Sequence, residues 1–368
     1  MNLSICIITK NEEQNIARCL QSLIAYDFEI VVVDTGSTDR TKEIAQTYTK
    51  HVYDFVWCDD FAAAKNYAVS KAANPHVMVL DSDEFVENMD EKQLELLISE
   101  RPDAVGRIQR RNILTRKGEK QENVEWINRI FSKDKFVYEG RIHEQVTAVD
   151  GKSYATYQAP VTIGHSGYDL TETERKKKAE RNIALLQQEL DRLLSEQQAA
   201  AENGQGSGEP SDQIPYILYQ LGKSYYMAED YVTACEYFSR GLSYDLNPKL
   251  EYVIDMVETY GYALINSNQV ETALFFENIY EEFANSADFQ FLMGLIYMKN
   301  ARFEDAVREF QKATKHTQCR MVGVNDYMAN YNIGVIYECL GRMKEARGYY
   351  EKCKAYEPAR KRLQILRA

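Results

Sequence analysis

Short apolar runs alternate with amphipathic segments in the first hundred residues of the chain. Residues 3–8, 28–33 and 77–80 are almost entirely apolar, which is typical of strands buried on both faces of a sheet. Apolar residues recur at helical spacing after the first two runs, around 16–24 and 44–48. Strands that alternate with helices predict a parallel sheet with right-handed crossovers, so the predicted class of the first half is α/β.

Three further elements are predicted between the apolar runs and after them. Residues 57–68 contain good helix formers preceded by acids, and residues 90–99 carry leucines at helical spacing. Residues 103–112 alternate between apolar and polar side chains, as in an edge strand or a half-exposed strand.

Polar residues follow each of the three apolar runs. Lys10 follows the first, Asp34 the second, and the segment Asp81–Asp83 the third. The carboxyl ends of parallel strands meet at one edge of a sheet, where ligands gather. Carboxylates at that edge suit Mg²⁺ or Mn²⁺ shared with substrate phosphates. The alternative is that Ser82 or Asp83 only caps the helix at 90–99.

Composition, charge and missing motifs argue against several classes of protein. The formal net charge of -12 argues against a nucleic-acid or anionic-membrane binder, and an anionic substrate would then need a local cation such as a bound metal. Neither GxGxxG nor a P-loop is present, which argues against dehydrogenases and P-loop ATPases. The seven cysteines form no CxxC pair, and neither a signal peptide nor a transmembrane segment is expected, so the predicted location is cytoplasmic.

Residues 4–12, 31–39 and 80–84 resemble the nucleotide-sugar motifs of family 2 glycosyltransferases, which have the Rossmann-like GT-A fold. The resemblance implies a UDP-sugar as the commonest donor and Mg²⁺ or Mn²⁺ as the cofactor. It implies that Asp34 contacts the nucleobase, while Asp81 and Asp83 hold the metal on the donor diphosphate. The donor-binding residues predicted on this basis are Thr9, Lys10, Glu12, Asp34, Ser37, Asp39, Lys65, Asp81, Ser82, Asp83 and Arg129. Lys65 is included as a point charge for the diphosphate, although a surface role is the favoured alternative for it.

The segments 126–131 and 138–146 resemble a subset of the same family with an RxF motif and a later His-Glu pair. Lipopolysaccharide-core and peptide glycosyltransferases both occur in that subset. An inverting transfer needs one general base, for which Glu144 is the first choice and His143 the second. The alternatives are a backbone-bonded His143 and a surface Glu144 paired with Arg141.

Two basic residues and one more histidine complete the candidates for this site. Arg129 or Arg141 is expected to neutralise the leaving diphosphate, because guanidinium matches phosphate in a bidentate manner. His165 is a weaker candidate that closes the acceptor pocket, binds metal, or belongs to a polar turn.

The second half of the chain repeats. In four places a glycine is followed twelve residues later by alanine, at Gly222 and Ala234, Gly261 and Ala273, Gly294 and Ala306, and Gly334 and Ala346. This spacing is typical of tetratricopeptide repeats, and the second repeat is degenerate because Glu277 stands where the others have an aromatic residue. The predicted domains are 1–170 for catalysis, 171–213 for a long helix and a Gly-rich linker, and 214–368 for the all-α repeats.

These predictions lead to a metal-dependent inverting glycosyltransferase that moves a hexose from a nucleotide-sugar to Cys or Ser of a peptide or protein recruited by the repeats. One alternative is transfer to a cell-envelope glycan or lipid-linked saccharide, with the repeats serving oligomerisation such as a homodimer. An alternative of another class is a non-catalytic scaffold. The sugar and the acceptor atom stay open.

Overall fold

The computed structural model describes residues 2–116, 119–165, 172–202 and 213–366. It divides the chain into two compact units, Met1–Leu170 and Thr171–Ala368. Most of the predicted linker, residues 203–212, lies outside the described residues, as do residues 166–168 of the predicted polar turn.

The first unit is built on an eight-stranded sheet and a two-stranded sheet. The strands are β1 Leu3–Thr9, β2 Glu29–Asp34, β3 Val52–Asp54, β4 His76–Asp81, β5 Glu84–Met89, β6 Val105–Arg116, β7 Glu119–Ser132, β8 Phe136–Glu139, β9 Gln145–Ala148 and β10 Thr156–His165. The helices are α1 Ile16–Gln21, α2 Thr41–Gln46, α3 Phe61–Lys71 and α4 Glu91–Glu100. The large sheet has the strand order β3-β2-β1-β4-β7-β6-β10-β5, and β8 pairs with β9 in the small one.

The apolar runs form the parallel centre of the large sheet. Strand β1 pairs in parallel with β2 and β4, and β2 pairs in parallel with β3. Alternate residues of β1 enter two apolar layers, Ile5 and Ile7 on one face and Cys6 and Ile8 on the other. The predicted mostly parallel α/β fold of the first half is therefore confirmed.

The strand register brings the polar ends together. Thr9 of β1 is paired with Asp34 of β2, and Ile8 is paired with Asp81 of β4. The three strands thus end at one edge, as the sequence predicted.

Two of the alternatives that the sequence left open do not hold. Strand β6 is a half-exposed strand and not an edge strand, because it pairs with both β7 and β10 and several of its residues are half-buried. The acidic segment does not cap the following helix: Asp90 is the cap and accepts a hydrogen bond from the backbone N–H of Gln93 at 3.1 Å. Residues Glu84–Met89 form β5 instead, antiparallel to β10.

The regular elements in the described part of the second unit are helices. Its elements are α5 Glu172–Glu202, α6 Gln213–Met227, α7 Tyr231–Gly241, α8 Glu251–Asn266, a 3₁₀-helix Thr272–Ile279, α9 Tyr280–Phe283, α10 Ala287–Lys299, α11 Phe303–Ala313, α12 Tyr327–Cys339, α13 Met343–Lys352 and α14 Glu357–Ile365. The long helix α5 belongs to this unit, where the side chain of Gln187 accepts a hydrogen bond from Tyr237 of α7 at 3.0 Å. No helix in the described ranges combines the length and the apolar character needed to cross a membrane.

The repeat glycines admit an aromatic ring from the paired helix. A Cβ atom at Gly222 would lie 2.5 Å from the ring of Phe238, and one at Gly294 would lie 2.6 Å from the ring of Phe310. Gly334 has the same relation to Tyr350, at 2.5 Å. The predicted repeats are confirmed by this contact, because only a residue without a side chain lets the two helices approach so closely.

The second repeat departs from this pattern, as expected for a degenerate one. Its second element is the 3₁₀-helix, and Gly261 faces Leu292 of the next repeat. Glu277 forms an ion pair with Arg302 at 2.6 Å in place of the aromatic contact.

Candidate active site

The ends of β1 and β2 present two buried oxygens without hydrogen-bond partners among the described residues. One carboxylate oxygen of Asp34, Oδ1, accepts hydrogen bonds from the backbone N–H groups of Gly36 and Ser37, both at 2.9 Å. The other, Oδ2, is buried and unpartnered, and so is the hydroxyl oxygen of Thr9. Buried polar atoms are usually paired, so this end of the sheet is suited to a ligand that supplies a donor and an acceptor.

The other predicted residues of the first two motifs lie in the loops beyond these strand ends. The hydroxyl of Ser37 accepts a hydrogen bond from the N–H of Asn11 at 2.9 Å, and Asp39 accepts one from the N–H of Glu13 at 3.2 Å. The N–H of Glu12 donates to the hydroxyl of Thr41 at 2.7 Å, while Lys10 is exposed. Ser37, Asp39 and Glu12 therefore join the loop after β1 to the loop after β2.

Lys65 lies at the centre of the site. Its ammonium group is 2.9 Å from Oδ1 of Asp81 and 2.6 Å from Oε1 of Glu144, and its side chain is only 4% exposed. The favoured surface role was wrong, because α3 packs its Ala64 and Ala68 against the sheet and this turns Lys65 toward the end of β4. Burial lowers the pKa of Lys65, but the carboxylates of Asp81 and Glu144 outweigh it and raise the pKa above the usual range. The lysine is charged at neutral pH.

Arg129 holds the other oxygen of Asp81. One guanidinium nitrogen lies 2.7 Å from Oδ2 of Asp81 and 3.0 Å from Oε1 of Glu84. Although burial raises the pKa of Asp81, Arg129 and Lys65 hold it well below the usual value. Asp81 is therefore an ionised carboxylate held between two cations.

Glu84, to which the sequence assigned no role, is fully buried beside this pair. Its side chain accepts a hydrogen bond from the backbone N–H of Asp81 at 2.9 Å and forms an ion pair with Arg110 at 3.2 Å. It fixes the turn between β4 and β5. The available signal was its position as the third acid directly after a buried strand.

Asp83 lies beside a histidine from the far side of the sheet. Its Oδ2 is 3.2 Å from Nε2 of His165, while Nδ1 of His165 is 2.7 Å from Oδ1 of Asn112. In the neutral tautomer that donates Nδ1–H to the Asn112 amide oxygen, Nε2 carries a lone pair that can bind a metal. Asn112 in turn donates to Glu125 at 2.5 Å. Neither Asn112 nor Glu125 was identified from the sequence.

The candidate ligands fit a divalent cation that also binds the substrate. No group of three or more His, Cys, Asp or Glu residues within the described ranges could hold a metal alone. Asp83 and His165 form an adjacent carboxylate and imidazole pair. Asp81, the other predicted metal ligand, has both of its oxygens in contact with cations, Lys65 and Arg129. A two-residue site suits Mg²⁺ or Mn²⁺, which complete their coordination with phosphate oxygens and water.

The predicted His-Glu pair lies in the loop between β8 and β9. Gly140 and His143 both have positive φ angles, 98° and 55°, so the chain turns sharply here. Glu144 points to Lys65, and its side chain is 13% exposed. The alternative of a surface Glu144 paired with Arg141 was wrong, since Arg141 is exposed and Glu144 contacts the buried lysine.

Comparison with protein families agrees with this architecture. Residues 4–152 match the family described as glycosyl transferase family 2. Residues 216–240, 287–315 and 329–360 match models of the tetratricopeptide repeat. The chain therefore carries a family 2 glycosyltransferase domain followed by tetratricopeptide repeats.

Some curated relatives match a segment within one half of the chain, and another matches most of it. A TPR repeat-containing protein of Synechococcus elongatus is 40% identical over 22% of this chain and 20% of its own length. The lipopolysaccharide core biosynthesis glycosyltransferase LpsC of Rhizobium meliloti is 32% identical over 33% of this chain and 47% of its own. The SPbeta prophage-derived glycosyltransferase SunS of Bacillus subtilis is 23% identical over 79% of this chain and 66% of its own. The chain spans less than two thirds of the first relatives it matches.

Proposed function

We propose that the protein is an inverting, metal-dependent glycosyltransferase that moves a hexose from a nucleotide-diphosphate sugar to an acceptor. The proposed donor is a UDP-sugar. The observation that carries this proposal is the bridge formed by Lys65 between Asp81 and Glu144. It joins the motif assigned to the donor to the carboxylate assigned as the base, although the two were predicted from separate segments. The match of residues 4–152 to family 2 supports the same reaction class.

In this proposal the nucleobase binds at the ends of β1 and β2. A ring N–H of uracil donates to the unpartnered Oδ2 of Asp34, and the hydroxyl of Thr9 bonds a base carbonyl. The loop contacts of Glu12, Ser37 and Asp39 hold the walls of this site, and exposed Lys10 offers a cation at its rim.

Asp83 and His165 are assigned to Mg²⁺ or Mn²⁺. The bound cation supplies positive charge to the departing diphosphate. Asp81 is assigned to position the donor with Ser82, and the Arg129 guanidinium adds positive charge beside it. Positive charge is needed at the donor diphosphate because the chain as a whole has a net charge of -12.

Glu144 is assigned as the general base. The acceptor oxygen or sulfur attacks the anomeric carbon, its proton passes to Glu144, and the bond from that carbon to the diphosphate oxygen breaks. Attack on the face opposite the leaving group inverts the configuration. Lys65 holds the Glu144 carboxylate in position.

Hydrolysis of a panel of nucleotide-sugars with Mn²⁺ tests the donor reaction. We expect metal-dependent turnover of at least one UDP-sugar and a loss of about 100-fold or more in Asp83→Asn, because a metal ligand is removed. Asp150→Asn, at an exposed acid away from the strand ends, is the matched control. A wild-type protein that hydrolyses none of the donors in a metal-dependent way would contradict the proposal.

For the acceptor we propose Cys or Ser of a peptide or protein recruited by the repeats. A cell-envelope glycan is the second candidate, favoured by the similarity to LpsC, whose name places it in lipopolysaccharide core biosynthesis. Residues 1–170 form a compact unit with its own apolar layers, so this fragment can be assayed for transfer beside the full chain. Equal transfer to a peptide by both would rule out recruitment by the repeats.

A further inference from the structure

Three carboxylates meet on the first helices of the second and third repeats. Asp255 and Glu258 lie one turn apart on α8, and Asp288 lies at the start of α10. Tyr219 of α6 donates to Asp255 at 2.5 Å, and Ser286 next to α10 donates to Glu258 at 3.2 Å. The first helices of three repeats therefore share one polar face.

Arg320 enters this face from the segment between α11 and α12. Its guanidinium contacts Glu258 and lies 3.2 Å from Asp255. The backbone N–H groups of Arg320 and Met321 donate to the two oxygens of Asp288, at 2.8 and 2.7 Å. The insertion before the fourth repeat thus supplies one cation to three acids.

The cluster holds three carboxyl groups and fewer cations. Among the described residues two cations pair with it, Arg320 and Lys223, and Lys223 lies on the Asp255 side at 2.9 Å. Burial raises the pKa of Glu258 to about 7; Arg320 opposes this shift, and Asp288 and Asp255 add to it. Glu258 and Asp288 are 5% and 6% exposed, so their charge is poorly screened by water.

A tyrosine hydroxyl beside these acids is also unsatisfied. Tyr262 follows Glu258 by one helical turn, so the two side chains share a face of α8. Its hydroxyl oxygen is buried and has no hydrogen-bond partner within the described residues. A network that served only to hold the repeats together would be expected to satisfy its own polar groups, because an unpaired buried hydroxyl is unfavourable.

We propose that Glu258, Asp288 and Tyr262 form a binding site for a basic side chain of a peptide that lies along the first helices of the repeats. A lysine ammonium has three donors and one charge, which match two carboxylates and one hydroxyl oxygen. The site lies in the second and third of four repeats, so an extended peptide crosses it with a side chain and not with its terminus. The inference rests on the proposed function only in treating this peptide as the sugar acceptor.

The test uses the full-length protein and two synthetic probes, with binding measured by calorimetry at low salt. One probe is a seven-residue peptide, acetylated and amidated, with a single lysine between two tyrosines. The other has norleucine in place of the lysine. We expect the lysine peptide to bind about tenfold or more tightly, since hydrogen bonds to charged groups are worth about 1.5 to 3 kcal/mol.

Glu258→Gln and Tyr262→Phe should each lower the affinity for the lysine peptide to nearly that for the norleucine peptide. Glu271→Gln changes an exposed acid of the same repeat and should leave the affinity unchanged. Tyr262→Phe keeps the test informative if Glu258→Gln does not fold, because it removes only an unpartnered hydroxyl.

Equal affinity for the two peptides, or an unchanged affinity in both variants, would overturn the proposed site. The absence of binding of either peptide up to about 1 mM would overturn it as well. No donor is present in this assay, so an enzyme without glycosyltransferase activity leaves the result readable and shows its failure in the hydrolysis assay instead.

Discussion

Lys65 determines how the candidate site works at the scale of single residues. Its ammonium bridges a donor-side carboxylate, Asp81, and the assigned base, Glu144, at a position with almost no solvent. A buried charge that loses its partner typically costs 3 to 5 kcal/mol, so neither carboxylate is easily left without the lysine. The bridge therefore fixes the distance between the donor end of β4 and the loop that carries Glu144.

We predict that Lys65→Met lowers turnover by about 100-fold or more and lowers the free energy of unfolding by about 3 kcal/mol, because two carboxylates lose the buried cation that they share. Steady-state kinetics and denaturant unfolding measure the two effects. Lys50→Met, at an exposed lysine of the same unit, is the control. A rise in KM for the donor with kcat unchanged would show instead that Lys65 binds the diphosphate and does not position Glu144.

A second prediction distinguishes Glu144 from His143 as the general base. Glu144→Gln should lower kcat by 10² to 10⁴, the usual contribution of a general base, while calorimetry shows UDP bound as in the wild type. His143→Asn should cost less, because the Glu144 carboxylate contacts Lys65 and is thereby held in the site. A larger loss of kcat in His143→Asn than in Glu144→Gln would assign the base to the histidine.

Residues close in sequence were the ones whose placement could be predicted. Asp81 and Asp83 directly follow a buried strand, so a local pattern sufficed to place them at the sheet edge. Glu84 could not be interpreted in this way, since its partners Arg110 and Arg129 come from strands 26 and 45 residues further along. The contact of Asp83 with His165 spans 82 residues and depends on β10 lying beside β5.

At the scale of elements, close approach of paired helices defines the repeats. The rings of Phe238, Phe310 and Tyr350 each cover a glycine on the preceding helix. The glycine spacing alone predicted this, because the motif is local and recurs. The order of the sheet was less predictable: the polar alternation of β6 suggested an edge, but its position between β7 and β10 depends on pairing with strands distant in sequence.

Gly294→Ala tests the helix contact. The added methyl would meet the ring of Phe310 at 2.6 Å, so the free energy of unfolding should fall by about 1 to 3 kcal/mol, as is usual for an overpacked core. Gly348→Ala is the matched control, since a Cβ there has nothing within 4 Å. It should raise stability by up to about 1 kcal/mol, because alanine is the better helix former. Thermal unfolding of both variants gives the comparison, and a neutral Gly294→Ala would contradict the packing.

At the scale of the whole molecule, the net charge of -12 acts in opposite directions on the two proposed substrates. The negative electrostatic field of the protein repels an anionic nucleotide-sugar. Local cations such as Lys65 and Arg129 help the nucleotide-sugar to reach the site. The same field attracts a peptide with basic side chains. The acidic face on α8 and α10 is where that attraction becomes a specific contact in the proposed scheme.

Ionic strength should therefore separate the two substrates. Raising the salt from about 10 mM to about 150 mM shortens the Debye length from about 30 Å to about 8 Å. We expect KM for the UDP-sugar, at saturating Mn²⁺, to fall two- to threefold, roughly, because repulsion is screened. The dissociation constant of the lysine peptide should rise over the same range, while that of the norleucine peptide stays nearly constant. If the binding of both substrates weakened as salt was added, a positive field at the sheet edge that extends beyond Lys65 and Arg129 would attract the donor. The charge balance assigned to this site would then have to be revised.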